Sequence, residues 1–256
     1  MIDVVCDLDG VIYRGDTLIS GADDGLNRLV SAGVGLLFAT NNSTRTPDEV
    51  AAKIRSVAGV EVAPHQIVTS SQAAASTISP SDGPVFVVGE QGIREALNSD
   101  GIEMTRAHQS AGVVVVGLCR DLSYTLLSDA SNAVRAGARF IATNTDPTFP
   151  TAEGLAPGAG SMVAAVAAAS GREPETVGKP HLPMRDLIRA IVGSNVWVIG
   201  DRIDTDMEMV SLEPTWRSVL VLTGVTAQGD TGVDADYVTS DLATAVDLVL
   251  DVAQRQ

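Results

Sequence analysis

Short uninterrupted hydrophobic runs alternate along this chain with segments in which apolar residues recur at helical spacing. A short apolar run indicates a strand buried on both faces, whereas helical spacing indicates a helix with one apolar side. Strands and helices in alternation predict a parallel sheet covered by helices. The predicted strands lie at residues 2–6, 34–39, 67–69, 85–88, 113–118, 140–143, 196–199 and 218–222.

Several segments between the strands carry signals for the ends of helices. Gly33 follows a periodic segment as a C-cap does, and Thr46 with Pro47 resembles an N-cap followed by a first-turn proline. Asp204 is likewise expected to be a helix N-cap. The predicted helices lie at residues 21–32, 46–57, 71–78, 91–98, 124–136, 161–170, 184–191, 204–212 and 241–253.

A cluster of proline, serine and glycine at residues 79–84 marks a linker, and a new α/β series begins after it. The first pattern resumes near residue 174. The prediction is therefore an α/β protein with a doubly wound, Rossmann-like parallel-sheet core formed by residues 1–78 and 174–256. Residues 79–173 are expected to form an inserted α/β domain, which is a reasonable size for a small domain.

Composition and charge narrow the classes of function. The chain has 256 residues and a formal net charge of −15, which argues against nucleic acid and anionic membranes as partners. No apolar run reaches the ~18 residues of a membrane span, and no signal peptide is expected, so the predicted location is the cytoplasm. Cys6 and Cys119 lie in strand-like runs, which favours buried thiols over a disulfide.

Asp7 and Asp9 follow the first predicted strand, and Gly10 comes directly after them. Side chains two apart point the same way, just beyond the carboxyl end of the strand, where open α/β sheets bind ligands. One interpretation is a pair for metal binding and catalysis. The alternative is an Asp-rich turn in which Gly10 supplies a positive φ.

Other predicted strands also end in polar groups. Thr40 and Asn41 follow one of them, Asp201 follows another, and Lys179 precedes the last part of the core. Because the carboxyl ends of parallel strands share one edge, these groups are expected to converge. Carboxylates for a hard cation, donors for an anion and one positive charge suit phosphoryl transfer.

These residues stand in a familiar order. The segments DLDGVIY (7–13), TNNST (40–44), GKP (178–180) and GDRIDTD (200–206) resemble the four ordered motifs of the haloacid dehalogenase superfamily. The chain is most similar to the branch of phosphatases with a large α/β cap inserted between the second and third motifs. That branch includes phosphoglycolate, glycerol 3-phosphate, pyridoxal phosphate and para-nitrophenyl phosphatases, and the resemblance runs the length of the chain.

The resemblance implies distinct roles for the two first aspartates. Asp7 is expected to be the nucleophile that takes the phosphoryl group as an aspartyl phosphate. Asp9 is expected to protonate the leaving alcohol and later to deprotonate the attacking water. Thr40, the Asn41 N–H and Lys179 are expected to bind the phosphate, with Asn42 in a supporting role.

The resemblance also implies a Mg²⁺ cofactor. Its expected ligands are the carboxylates of Asp7 and Asp201 and the backbone carbonyl of Asp9, completed by water. Asp206 is expected to act through a water or by orienting Lys179.

In the inserted domain, Asn144, Asp146 and Phe149 are the candidates for substrate specificity. They lie in a glycine- and proline-rich stretch, residues 146–160 with its flank, whose glycines and prolines are expected mainly to make turns. Phe149 stands where pyridoxal phosphate phosphatases tend to have a histidine, which lowers pyridoxal phosphate as a substrate.

The leading hypothesis is a Mg²⁺-dependent phosphatase of small phosphate monoesters such as glycerol 3-phosphate or phosphoglycolate. The alternatives are a phosphotransferase with an acceptor other than water and a non-catalytic regulator that binds a phosphate ligand. The expected partner is a small phosphorylated metabolite, and the resemblance suggests a homodimer formed through the cap.

Overall fold

A computed structural model describes residues 2–151, 154–226 and 234–254. Its strands, in chain order, are β1 (Asp3–Cys6), β2 (Tyr13–Arg14), β3 (Thr17–Leu18), β4 (Gly35–Thr40), β5 (Ile67–Thr69), β6 (Val85–Val88), β7 (Met104–Thr105), β8 (Val113–Val116), β9 (Arg139–Ala142), β10 (Thr148–Thr151), β11 (Gly154–Pro157), β12 (Glu175–Thr176), β13 (Val196–Gly200), β14 (Trp216–Val221) and β15 (Tyr237–Thr239).

Helices occupy most of the segments between these strands. They are α1 (Ala22–Ala32), α2 (Pro47–Ala58), α3 (Ser70–Ser76), α4 (Gln91–Ser99), α5 (Tyr124–Arg135), α6 (Ala159–Ser170), α7 (Leu182–Arg189), α8 (Glu208–Ser211) and α9 (Leu242–Gln254). Gly33 ends α1 at φ 66°, in the left-handed region, as the sequence predicted.

The chain divides by its contacts into two compact units. The first comprises Met1–Thr40, Asp48–Val68 and Arg185–Gln256, and the second comprises Asn41–Pro47 and Thr69–Met184. The second unit thus takes in the short segment after β4 and extends beyond residues 79–173 at both ends. The predicted domain boundaries at residues 78 and 174 remain a prediction.

The first unit contains a six-stranded sheet in the order β15-β14-β13-β1-β4-β5. β1 pairs in parallel with both β4 and β13, and β13 continues in parallel to β14 and β15. The strand order reverses beside β1, and in doubly wound sheets ligands bind at the carboxyl ends of the strands at this reversal. The predicted α/β fold class is confirmed.

Burial explains why β1, β4 and β13 lie in the middle of this sheet. All of β13 is buried, and only the first residue of β1 and of β4 is partly exposed. A strand without a polar face is stable only with neighbours on both edges and helices on both faces. The helices α1 and α9 approach closely, since a Cβ on Gly25 would lie 3.1 Å from Leu242 Cγ.

The second unit contains a five-stranded sheet in the order β12-β9-β8-β6-β7 with parallel pairing throughout. Its two central strands, β6 and β8, read VFVV and VVVV and are entirely buried. Residues of α5 and α6 join these strands in one apolar cluster. Cys6 and Cys119, one in each unit, are both buried and form no disulfide.

The structure differs from the sequence prediction in the glycine- and proline-rich stretch. β10 and β11 form an antiparallel hairpin there, with Phe149 opposite Ala156 and Pro150 opposite Leu155. Proline is compatible with a strand when its missing N–H falls on an unpaired edge, and a two-stranded hairpin consists only of edges. The glycine and proline content of this stretch predicted turns, so the two strands were missed.

The short strands β7, β12 and β15 were also missed. Each has only two or three residues and no long apolar run to mark it. Among the helices in the described ranges, none is long and apolar enough to cross a membrane. This finding does not test the predicted cytoplasmic location, which stays a prediction.

Asp241 caps α9, and its removal tests how much this cap contributes to stability. The Thr244 N–H donates to Asp241 Oδ1 at 2.8 Å, and this bond lowers the pKa of the carboxyl. We expect Asp241→Ala to lower the free energy of unfolding in urea by about 1 kcal/mol at neutral pH. Asp251→Ala, at an exposed position of the same helix, is the matched control and is expected to have little effect.

The loss has a defined pH dependence. Because the folded pKa of Asp241 lies below the unfolded one, its contribution is present above the unfolded pKa and disappears as the pH falls through the folded pKa. The difference between wild type and Asp241→Ala should therefore shrink on acidification. A difference that stays constant down to strongly acidic pH would contradict the assignment.

Candidate active site

Three buried aspartates meet at the carboxyl edge of the central sheet in the first unit. Asp7 follows β1, Asp201 follows β13, and Asp206 lies in the short helical turn Ile203–Met207. Their carboxylates each offer one oxygen such that all three oxygens lie within 4.8 Å of one another. Asp201 and Asp206 are 1% exposed and Asp7 is 8% exposed.

Strand register brings Asp7 and Asp201 together. β1 and β13 pair in parallel with Cys6 beside Ile199, and the Asp7 N–H donates to the Ile199 carbonyl at 2.9 Å. β13 runs one residue beyond β1, so the two strands end within one residue of each other and the aspartate that follows each one lies at the same edge of the sheet. The convergence expected from the sequence is observed for these two residues.

The loop after β14 holds the Asp201 carboxylate in place. The Val225 N–H donates to Asp201 Oδ2 at 2.6 Å, and the Thr226 N–H donates to the Asp201 carbonyl at 3.1 Å. A Cβ on Gly224 would lie 1.8 Å from Asp201 Oδ2, and one on Gly10 would lie 2.5 Å from it. Both glycines leave the space that this carboxylate occupies.

Asp206 is packed against a third glycine. A Cβ on Gly200 would lie 2.3 Å from the Asp206 Cβ, so only glycine allows this approach. The Arg202 N–H donates to Asp206 Oδ2 at 3.3 Å. The sequence placed Asp206 in a supporting role, and in the structure its carboxylate belongs to the same cluster as Asp7 and Asp201.

The expectation that Asp204 caps a helix was wrong. Its side chain is largely exposed and accepts from the Arg202 guanidinium, with Nε at 3.0 Å and Nη2 at 2.7 Å. These bonds lower the pKa of Asp204. A π-type turn replaces the first turn of the predicted helix, so Asp204 lies inside that turn and not at its cap position.

The carboxylate cluster fits a divalent cation. Three carboxylates this close and this buried repel one another, and such a group is stable only when protons or a cation offset the charge. Carboxylate oxygens are the donors that hard divalent ions such as Mg²⁺ and Ca²⁺ prefer. Asp7, Asp201 and Asp206 are therefore the residues that could hold such an ion.

Asp9 lies outside the buried group and is exposed. Gly10 beside it has φ 90°, the positive value that a tight turn needs. The Gly10 N–H donates to the Tyr13 carbonyl at 2.9 Å, and the Thr223 hydroxyl donates to the Gly10 carbonyl at 2.7 Å. The turn expected in the alternative interpretation thus exists, and it coexists with the carboxylate cluster.

Thr40 is buried at the end of β4, the strand beside β1, so it lies at the same edge as Asp7. The next residue along the chain, Asn41, belongs to the second unit. The predicted phosphate-binding set of Thr40, Asn41 and Lys179 is therefore divided between the two units and remains a prediction.

Within the second unit, Asn41 and Lys179 are bound to each other. Asn41 Oδ1 accepts the Lys179 N–H at 2.7 Å, and Asn41 Nδ2 donates to the Lys179 carbonyl at 3.2 Å. Gly178 permits this pairing, since a Cβ there would lie 2.5 Å from Asn41 Oδ1. Lys179 is 4% exposed, which is unusual for a lysine and sets it apart from a surface cation.

Asn144 supports Asn41 from the end of β9. Its Nδ2 donates to the Asn41 carbonyl at 2.7 Å and its Oδ1 accepts the Asp146 N–H at 3.1 Å. Both ends of this buried amide are bound to backbone groups, so Asn144 fixes the Asn41 segment. Its expected role in substrate specificity stays a prediction.

The other predicted residues of the second unit have clear local positions. Asn42 Oδ1 accepts from both the N–H and the hydroxyl of Thr44, at 2.9 and 2.7 Å. Phe149 on β10 lies under Arg120, whose guanidinium carbon is 5.9 Å from the ring centroid. Arg120 Nη1 also donates to both carboxylate oxygens of Glu90 at 2.8 Å.

Sequence reasoning missed Gly224 and Val225 as supports of the site. The available signal was Thr223-Gly224, one more polar end of a predicted strand. It carried no carboxylate, so nothing marked it as part of a metal site. Its contribution is the backbone N–H of Val225 and the missing side chain of Gly224.

Comparisons with known proteins agree with this fold. A family model described as haloacid dehalogenase-like hydrolase matches residues 4–103, and a HAD-hydrolase-like model matches residues 176–245. The 5′-nucleotidase YutF of Bacillus subtilis is 37% identical over 225 residues, covering 86% of each protein. The dihydroxyacetone phosphatase of Corynebacterium glutamicum is 36% identical over 229 residues, covering 88% of this chain and 82% of that protein.

A solved structure of a phosphatase also has this fold. The glycerol phosphate phosphatase of Mycobacterium tuberculosis, crystallised with magnesium, superposes with a TM-score of 0.85 at 33% identity, covering 94% of this chain and 74% of that one. The chain belongs to the haloacid dehalogenase-like hydrolase family. The predicted enzyme class, phosphoric monoester hydrolase, is confirmed.

Two aspartates of one turn provide a matched test of the metal site. We expect Asp206→Asn to weaken Mn²⁺ or Mg²⁺ binding by about 10- to 100-fold in isothermal titration, because it removes a charge from the buried cluster. Asp204→Asn should leave the affinity nearly unchanged, because its carboxylate faces Arg202. Equal losses in both variants would contradict the assignment of Asp206 to the site.

Gly224→Ala tests the loop after β14. The added methyl would occupy the position of Asp201 Oδ2, so the carboxylate has to move and divalent-metal affinity should fall about tenfold or more. Gly15→Ala is the control for general backbone strain: Gly15 has φ 56°, so alanine is unfavourable there, but its Cβ would meet nothing within 4 Å and metal affinity should stay unchanged. Unchanged metal affinity in Gly224→Ala would show that Asp201 is not held as described.

Proposed function

We propose that this protein is a Mg²⁺-dependent phosphatase that hydrolyses small phosphate monoesters through an aspartyl phosphate on Asp7. The observation that carries the proposal is the buried group of Asp7, Asp201 and Asp206 at the carboxyl ends of β1 and β13. The negative charge of such a group favours a bound cation, and the group contains a carboxylate able to attack phosphorus.

The proposed Mg²⁺ ligands are the carboxylates of Asp7 and Asp201 and the backbone carbonyl of Asp9. The bound ion supplies positive charge that offsets the substrate phosphate and the attacking carboxylate. Asp206 adds negative charge beside the ligands and helps to fix their geometry. The Val225 N–H donates a hydrogen bond to the Asp201 carboxylate, and this bond restricts the orientation of the carboxylate.

Asp7 and Asp9 divide the chemistry because their environments differ. Asp7 is buried and its backbone is bound to β13, so its place at the strand end is fixed, which suits it to attack. Asp9 is exposed, on a turn, and suited to exchange protons with water and leaving group. Asp9 protonates the departing alcohol as its bond to phosphorus breaks, and then accepts a proton from the water that hydrolyses the acyl phosphate.

The phosphate is proposed to bind through the Thr40 hydroxyl, the backbone N–H of Asn41 and the ammonium of Lys179. The side chain of Asn41 is already bound to the backbone of Lys179 on both sides, which supports a backbone role for Asn41. Lys179 is buried, and a buried ammonium is stable only beside negative charge. The substrate phosphate would contribute such charge, which supports a phosphate-binding role for Lys179. Asn42 would hold the segment through its bonds to Thr44.

For the substrate we propose glycerol 3-phosphate, phosphoglycolate or a similar short phosphate ester. Relatives named glycerol phosphate phosphatase and dihydroxyacetone phosphatase support this size class. Asp146 and Phe149 are the proposed contributors to specificity, with Asn144 acting behind them. A cytoplasmic location and a homodimer formed through the inserted α/β cap domain complete the proposal.

Asp7→Asn tests the nucleophile. Turnover of p-nitrophenyl phosphate in the presence of Mg²⁺ should fall by at least about 1,000-fold, because an amide cannot form the acyl phosphate. Thermal unfolding of the variant shows whether the fold is kept. Substantial residual turnover in a folded variant would refute the assignment of Asp7. In a separate assay of the wild type with an added alcohol, formation of a phosphorylated alcohol in place of phosphate would favour the phosphotransferase alternative.

A further inference from the structure

Lys53 is one of two lysines in a chain whose other cations are arginines, and its side chain is mostly buried. It lies on α2, where its side chain is 11% exposed. The Lys53 Nζ lies 3.7 Å from the centroid of the Tyr13 ring, and Tyr13 itself is 2% exposed. A cation this close to the face of a buried aromatic ring makes a favourable and partly desolvated cation–π contact.

Tyr13 closes the turn that carries Asp9. The Tyr13 N–H donates to the Leu8 carbonyl at 3.3 Å, and the Gly10 N–H donates to the Tyr13 carbonyl at 2.9 Å. Asp9 and Tyr13 also form an isolated bridge. The backbone of Asp9 is thus bracketed by bonds to Tyr13, and any shift of Tyr13 moves Asp9 with it.

The proposed chemistry requires Asp7 and Asp9, on the two sides of the start of this turn, to be held in place, but the sheet fixes only Asp7. Asp7, before the turn, is fixed by the sheet through its bond to Ile199. Asp9 lies beyond the last residue of β1, so no strand pairing of the central sheet holds it. Asp9 nevertheless has to reach both the leaving group and the attacking water, and a displacement of about 1 Å can cost such a group as much as 100-fold in rate.

We propose that Lys53 and Tyr13 are positioning residues for Asp9, in which the lysine pins the tyrosine ring and the tyrosine backbone sets the turn. The inference rests on the proposed function, since it assigns Asp9 the proton transfers. Neither residue touches substrate in this proposal. Lys53 and Tyr13 affect catalysis only by setting the position of the Asp9 carboxyl.

The ion pair that Lys53 makes with Asp16 does not explain its position. Lys53 Nζ lies 3.8 Å from Asp16 Oδ1, and the Asp16 side chain is 87% exposed. Exposed pairs of this kind contribute little, because water and salt screen them. The ring contact, in contrast, is shielded from water on the Tyr13 side. Asp16→Asn therefore separates the two contacts experimentally.

The test compares two substrates of nearly the same shape. p-Nitrophenyl phosphate has a leaving group that departs without a proton, whereas phenyl phosphate depends more on a general acid. kcat/KM covers the steps up to departure of the leaving group, so it reports this dependence. We expect Lys53→Met to lower kcat/KM about tenfold for phenyl phosphate and by about threefold or less for p-nitrophenyl phosphate.

Matched variants exclude general damage to the helix. Arg55→Met removes a cation from an exposed site of α2, where Arg55 faces Glu61 at 3.7 Å, and should leave both ratios near wild type. Asp16→Asn should do the same. Lys53→Arg keeps a cation over the ring and should restore most of the activity toward phenyl phosphate. Tyr13→Leu should show the same selectivity for the leaving group, and its effect should not add to that of Lys53→Met.

Asp9→Asn separates this inference from the proposed function. If Asp9→Asn slows phenyl phosphate more than p-nitrophenyl phosphate but Lys53→Met slows both equally, the positioning role is overturned and the function stands. If Asp9→Asn shows no such selectivity, the acid role of Asp9 fails and the inference fails with it. Should Lys53→Met not fold, Tyr13→Leu carries the same comparison, and Lys53→Arg remains the conservative control in which the loss should not appear.

Discussion

The mutual repulsion of three buried carboxylates is the constraint on which the rest of the first unit depends. One carboxylate oxygen each of Asp7, Asp201 and Asp206 lies within 4.8 Å of the others, because two parallel strands end within one residue of each other and a helical turn follows one of them. Glycine at three positions around them removes the side chains that would push them apart. The sheet, the turn and the glycines therefore all hold like charges at a distance at which a bound cation is strongly favoured.

The fold was predictable wherever burial left a long signal in the sequence. β6, β8 and β13 consist of uninterrupted apolar residues and were found nearly to the residue. β10 and β11 were not, because a two-stranded hairpin can include proline and glycine that usually mark turns. β7, β12 and β15 are too short to show a pattern. Strength of burial, and not the type of element, separates what was found from what was missed.

The same division runs through the site. Asp7 and Asp201 were identifiable because a carboxylate directly after an apolar strand is costly in an ordinary turn. The N-cap role expected for Asp204 was wrong, because it assumed an ordinary helical start and the sequence does not reveal the π-type winding of this turn. Gly224 and Val225 act through an absent side chain and a backbone N–H. Contributions made by the backbone or by a missing side chain cannot be recognised from the residue types in the sequence.

The carboxylate cluster also ties the folding of this chain to its ionic surroundings. In the unfolded chain, Asp7 and Asp201 are separated by most of the sequence and bind divalent ions poorly, whereas the native arrangement gathers them. An ion that binds only the native state adds stability in proportion to the logarithm of its concentration once the site is occupied. The fraction of folded protein is thus a thermodynamic reporter of available divalent metal, and depletion of the ion weakens the fold before any substrate is involved.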